Sequence, residues 1–312
     1  MDSVVRKAYA KVNLGLDITG LREDGYHLVR MIMQAIGIYD VLTFKKTEEP
    51  GVVLRISEKS TLPDIADVPT DDRNLIVRAA KRILEKCPVK DGENLPGVEI
   101  TLEKHIPMAA GMAGGSTDCA AALRGVAELF ELGCSEEELA EIGVSLGADV
   151  PYCLMGGTAL SEGIGEKLTK LPDLPACRMV IIKPEFGAST KEVYGAYDKL
   201  DPEEIDHPDI DGMVDALNRS DLPGICARLG NVLELVTARI HPEITQIEEM
   251  VKELGVKDTI MTGSGPTVFG VMREGVNEEE FNEEEFKTAL TGKLEKAGIP
   301  ARVYVVDGMV KL

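Results

Sequence analysis

The chain has 312 residues, enough for about two domains, and at that length folding hides about 75% of the unfolded surface. Hydrophobic residues make up 44% and charged residues 28%, ordinary globular values that exclude disorder, collagen and coiled coil as overall descriptions. With 34 Lys and Arg against 54 Asp and Glu, the net charge of −20 repels a nucleic-acid backbone; a bound phosphate needs one local site of backbone N–H groups and a few placed cations.

Taken in chain order, residues 8–18 (AYAKVNLGLDI) alternate as a strand, with Val12, Leu14, Leu16 and Ile18 on one face and Lys11, Asn13 and Asp17 on the other. Arg22-Glu23-Asp24-Gly25 carries the Asp-Gly pair of a tight turn. Residues 28–38 and 40–44 read as two extended segments, and 51–57 as another strand. Residues 74–87 have the period of an amphipathic helix, with Leu75, Ala79, Ala80, Ile83 and Leu84 as its stripe and Pro88 as its stop. Residues 98–102 form a strand that leads to the basic pair Lys104-His105. The Ala- and Leu-rich run 119–132 is a helix by propensity and period, preceded by the capping types Ser116, Thr117 and Asp118. A second helix, 135–146, opens on a Ser135-to-Glu138 capping box and breaks at 147–151.

The prolines of 170–178 mark a connection between domains 1–170 and 171–312. Beyond it, 179–183 is a buried-type strand, 189–200 a helix, and the remainder alternates the two. The acidic residues Glu278–Glu280 and Glu283–Glu285, beside Phe281, Phe286, Leu290 and Leu294, read as a solvated helix face and not as a metal site. Six cysteines without a C-x-x-C pair read as free, buried thiols of a reducing cytosol. No leader-like or 18-residue apolar run appears, so a soluble, cytoplasmic protein without a membrane partner is expected.

Two glycine-rich stretches carry the chemistry. Residues 107–118 (PMAAGMAGGSTD) feed a helix start, where backbone N–H groups and the helix dipole suit an anion. This is neither a Walker A loop nor a G-x-G-x-x-G fingerprint, and no G-x-S-x-G elbow exists. The hydroxyls of Ser116 and Thr117 therefore suit phosphate or Mg²⁺ better than nucleophilic attack. Residues 261–270 (MTGSGPTVFG) lie in the other half of the chain, and the two loops could close on one ligand. Asp149, in a small-residue turn, and Lys11, on a strand face, are both placed to serve it.

Together AYAKVNLGLDITGLREDGYH, IPMAAGMAGGSTDCAAAL, LGADVPYCLMGGTALSEGIGEKL and MTGSGPTVFG resemble the GHMP kinase superfamily over about residues 8–270, with DGYH at 24–27 and GEKL at 165–168 as subfamily features. The resemblance implies an α+β, two-domain GHMP kinase fold: an ATP-binding domain 1–170, a ferredoxin-like C-terminal domain 171–312, and an active site in the cleft between them. The implied reaction is phosphorylation of a small-molecule alcohol, the 2-hydroxyl of diphosphocytidyl methylerythritol, with ATP and Mg²⁺, by a monomer or homodimer. By the same resemblance Asp149 is the catalytic proton acceptor and Lys11 the catalytic cation. Pro107, Met108, Ala109, Ala110, Gly111, Met112, Ala113, Gly114, Gly115, Ser116 and Thr117 form the ATP phosphate loop, with Ser116 or Thr117 as its Mg²⁺ or phosphate hydroxyl.

Asn74 and Lys104 are implied near the adenosine, Tyr26 and His27 on the cytidine, and Asn13 on the methylerythritol hydroxyls. Gly263, Ser264 and Gly265 supply part of the substrate wall. Tyr194 stands where the family places an aromatic ring on the cytosine; a core tyrosine is the other reading. The loop departs from the family at Ala110, Met112, Ala113 and Thr117. A methyl at Ala113 is harmless at negative φ and costs about 1–2 kcal/mol in the left-handed region. A kinase with another acceptor and a non-catalytic nucleotide sensor are the alternatives. A sensor has no need of both Lys11 and Asp149.

Overall fold

The computed structural model describes residues 2–87, 97–272 and 282–310. Strands β1 (Ser3–Leu21) and β2 (His27–Thr47) are joined by the expected tight turn, in which Gly25 N–H donates to Arg22 O (3.0 Å). β2 is one strand and not the two segments expected, since Tyr39, itself a strand former, joins them. Then come β3 (Gly51–Ile56), α1 (Leu75–Lys86), β4 (Gly97–Glu103), α2 (Gly114–Leu129), α3 (Glu136–Leu146) and α4 (Val150–Met155). They are followed by β5 (Thr158–Gly163), β6 (Lys167–Lys170), β7 (Arg178–Pro184), α5 (Thr190–Tyr197), α6 (Ile210–Asn218), α7 (Leu222–Cys226) and β8 (Gly230–Asn231). The chain closes with α8 (Glu234–Ile240), α9 (Glu243–Glu253), β9 (Asp258–Met261), β10 (Val268–Met272), α10 (Glu283–Lys296) and β11 (Ala301–Asp307). Pro88, Glu278–Glu280 and Phe281 lie outside the described residues, whereas Glu283–Glu285 form the first turn of α10 as a helix face.

The chain makes two compact units, neither of them continuous in sequence: 1–10, 38–108 and 113–156 in one, 11–37, 109–112 and 157–312 in the other. The expected boundary at 170 differs because β1 and β2 are long enough to contribute a segment to each. In the first unit, β4 pairs antiparallel with the second half of β2 and parallel with β3. α1 and α2 pack over an aliphatic core around Phe44, Ile100, Leu102, Ile83 and Leu123. α2 opens at Gly114, earlier than expected, because the glycines continue the helix instead of preceding it. The capping box on α3 is present as expected.

In the second unit, β9, β10, β7 and β11 form an antiparallel sheet in the order β11-β7-β10-β9. α9 packs on β9 and β10 and α10 on β11, so strand order and crossovers are those of a ferredoxin-like domain. The cysteine expectation needs correcting. Cys87 and Cys134 are bridged, with Cα atoms 6.4 Å apart, because the end of α1 and the segment after α2 converge despite a separation of 47 residues. Cys119, Cys153, Cys177 and Cys226 remain thiols. No described helix is long and apolar enough to cross a membrane.

Candidate active site

The phosphate-loop candidate is built on backbone conformation. Ala109 (φ 48°), Gly111 (71°) and Ala113 (57°) are all left-handed, so Ala113 takes the conformation that costs an L-residue about 1–2 kcal/mol. Ala113 is the N-cap of α2 and offers no side-chain cap to the first-turn amides. Gly111 cannot be replaced cheaply: a Cβ there would lie 2.7 Å from Thr262 O. Pro107 and Met108 lead into this turn, and Ala110 and Met112 are buried beneath it.

Under α2, Lys104 is 5% exposed. Its ammonium donates to Asp118 Oδ2 (2.7 Å) and, in a very short contact, to Asp40. The other Asp40 oxygen accepts the N–H groups of His105 and Ile106. A Cβ on Gly114 would come within 3.2 Å of Lys104 Nζ, so the cation lies directly against the helix start. Burial opposes the charge on Lys104, but the two carboxylates outweigh it and raise its pKa. Burial drives the Asp118 carboxyl well up against the pull of Lys104. Asp118 is thus not a cap. The Lys104 side chain, expected near adenosine, is committed beneath the loop, and the Asn74 side chain caps α1 by accepting Ile76 N–H (2.9 Å) while donating to Pro69 O.

Of the two hydroxyls, Thr117 is buried and donates to Tyr9 O (2.8 Å), whereas Ser116 stands half-buried on the first turn. Among the described residues no three His, Cys, Asp or Glu side chains converge on a metal. Asp149, half-buried, ends in the turn before α4 with no capping bond.

In the second unit, β1 is buried on both faces around Lys11 and Asn13, which makes them interior polar groups. Lys11 Nζ donates to Asn13 Oδ1 (2.7 Å), and Lys11 N–H donates to Met112 O (3.2 Å). Asn13 N–H donates to Thr262 Oγ1 (2.9 Å), tying the lysine's strand to the second glycine-rich loop. There Gly263 (φ 59°) and Gly265 (83°) are left-handed, and Ser264 Oγ meets Thr190 Oγ1 at 3.0 Å.

The same unit gathers an aromatic cluster. His27 packs against Tyr194 (centroids 4.8 Å apart) and Tyr197 (6.4 Å), and its Nε2 is 2.6 Å from Asp198 Oδ1. In the neutral ring, an Nε2 that donates to Asp198 leaves Nδ1 as an acceptor. Tyr26 is 60% exposed, an open ring face beside this histidine in the chain. Sequence reasoning missed Asp198, Asp40, Thr262 and Asn231. A lone charge in the apolar run GIYDVLTF was the available signal for Asp40, and Thr262 lies within the glycine-rich stretch 261–270; Asp198 and Asn231 carried none.

The family model described as "GHMP kinases N terminal domain" matches residues 74–157, and "GHMP kinases C terminal" matches 213–295. Proteins named 4-diphosphocytidyl-2-C-methyl-D-erythritol kinase from Lachnospira eligens and Lachnoclostridium phytofermentans are 47% and 48% identical, each over 87% of this chain and 89% and 88% of their own. The chain belongs to the GHMP kinase family. The crystal structure of a 4-(cytidine 5'-diphospho)-2C-methyl-D-erythritol kinase matches this GHMP kinase with TM-score 0.74 and 30% identity, over 98% of this chain and 100% of that one. A homoserine kinase from Cytophaga hutchinsonii matches with TM-score 0.74 at 21% identity, over 99% and 96%, a likeness of fold alone.

Proposed function

We propose that this GHMP kinase transfers the γ-phosphoryl group of ATP to the 2-hydroxyl of 4-diphosphocytidyl-2-C-methyl-D-erythritol, in the non-mevalonate isoprenoid route and in the cytoplasm. The observation that supports the acceptor is the His27 ring packed on Tyr194 with its Nε2 against Asp198, a histidine edge beside tyrosine faces of the kind that reads a nucleobase. Tyr26 would stack on the cytosine and His27 would read its edge.

Asp149 would take the proton of the acceptor hydroxyl as its oxygen attacks the γ-phosphorus and the bond to the β–γ bridging oxygen breaks, releasing ADP. The Lys11 ammonium, oriented by Asn13, would offset charge on the transferred group. Amides of 109–116 would hold the phosphates, which supplies the positioning that a loose transition state most needs. The Ser116 hydroxyl would hold Mg²⁺, which when bound would supply countercharge to the phosphates during transfer. Asn74 and Lys104 would serve the adenosine side through backbone and loop support, given where their side chains are engaged.

ADP release is to be measured with the cytidyl substrate, mevalonate and homoserine; turnover only with one of the latter two rejects the proposal. Asp149→Asn is expected to cut turnover at least about 100-fold with ATP affinity retained. Unchanged turnover removes Asp149 from its role.

A further inference from the structure

We propose that Glu234 and Glu248 share one proton as an acid–carboxylate pair, and that this pair is the positioning device for the 261–265 loop and, through it, for Asn13 and Lys11. The proposal rests on the kinase reading above. Glu234, the first residue of α8, turns inward, and its Oε2 accepts Met261 N–H (2.6 Å) at the end of the edge strand β9. Two neighbours join it: Asn231 Nδ2 donates to Met261 O and Gly263 O (both 2.8 Å), and Thr237 Oγ1 lies 3.4 Å from Ser264 O. The next loop residue, Thr262, accepts Asn13 N–H, and Asn13 holds Lys11 Nζ. A continuous path therefore runs from Glu234 through Met261, Thr262 and Asn13 to the lysine.

Glu248 of α9 lies within hydrogen-bonding reach of Glu234. Its Oε2 accepts Lys252 Nζ (3.2 Å), while Oε1 is buried without a donor among the described residues. Two neighbouring carboxylates out of water do not both ionise cheaply. A proton held between the two carboxyls relieves that cost, while Glu234 Oε2 remains the acceptor of Met261 N–H. Burial first, and then Glu248, push the Glu234 carboxyl up to about 8. The titratable and charged groups on the packed elements are Glu243, Glu248, Glu249 and Lys252 on α9, the Glu253–Lys293 pair between α9 and α10, exposed Lys191 and Glu192 with Tyr194 and Tyr197 on α5, and Asp258 at the far end of β9, besides Arg239 on α8 itself. Lys252 is the cation at the pair, and its side chain is 44% exposed, so solvent weakens it.

The test is the pH profile of kcat and KM for the whole enzyme with ATP and the cytidyl substrate. Glutamine at either position supplies a permanent N–H in place of the proton. Glu234→Gln and Glu248→Gln are therefore expected to turn over within about threefold of the parent at pH 7 and to shift its alkaline fall in kcat upward by about one pH unit or more. Glu234→Ala is expected to lower kcat about 10–100-fold at pH 7 while KM for ATP moves less than about threefold. An infrared carboxylic-acid band seen in the parent at pH 7 and lost in both Gln variants reports the shared proton without any substrate. An unchanged alkaline limb in both Gln variants, or Glu234→Gln as impaired as Glu234→Ala, overturns the proposal. A parent enzyme inactive on the cytidyl substrate overturns the kinase reading instead, while the infrared band still tests the pair.

Discussion

Each glycine-rich loop rests on a pair of acids, both buried in one case and one buried beside one half-buried in the other, and the two pairs are neutralised by different means. Beneath Gly114, Asp40 and Asp118 are bridged by an interior ammonium, Lys104, which the carboxylates hold protonated. Beneath 261–265, Glu234 and Glu248 have a cation only at the rim, and their charge is relieved by retaining a proton. An ammonium keeps its charge over the whole working range, although Asp118 beside it is itself driven well up by burial. A shared proton avoids burying a third ion, but it is lost within that range. The difference teaches that one chemical problem, acids under a loop that must stay in register, can be met with an interior cation or with a cation only at the rim.

The harshest way to break this comparison is Lys104→Met, which leaves two carboxylates without their cation. Removing one partner of a buried ion cluster costs about 3–5 kcal/mol, so urea unfolding is expected to show a loss of that size. A loss below about 1 kcal/mol would put the cation outside the load of the fold.

A milder test is stability against pH. The folded-state value of Glu234 lies at about 8, above the ordinary 4.5, so the native chain keeps a proton that the unfolded chain has released. Stability contributed by this group therefore falls as pH rises from about 4.5 to about 8 and is flat above that. Glu234→Gln is expected to flatten this part of the curve, measured by denaturation at successive pH values; an unaltered slope denies the pair its proton.

The smallest expected effect is at the loop itself. Ala113→Gly removes the left-handed methyl at φ 57°, and the gain, partly offset by glycine's unfolded-state entropy, is at most about 1 kcal/mol in thermal or urea unfolding. Destabilisation by that substitution would show that the methyl packs favourably where it stands.

Much of the site was legible because its signals are local. The capping box on α3, the turn at Asp24-Gly25 and the alternation that set Lys11 and Asn13 on one face of β1 follow from residues close in sequence. Other features were not. Ser116, Thr117 and Asp118 have the chemistry of caps, yet the glycines before them join the helix, and Asp118 is drawn to a buried lysine. Cys87 met Cys134, and β1 and β2 each served two units, through contacts that no spacing encodes.

The sequence by itself determined the two glycine-rich loops, the candidate residues Lys11, Asp149 and His27, and the resemblance to the GHMP kinases, since backbone freedom and side-chain type are properties of short segments. Only the tertiary structure decided that Ala113 is left-handed, that Thr117 faces a carbonyl while Ser116 stays half-buried, and that Glu234 is placed to keep a proton. The physical reason is that burial and the partner of a buried charge come from distant chain. Asp40 lies 64 residues from the lysine it holds, and Thr262 lies 249 from the strand it ties down.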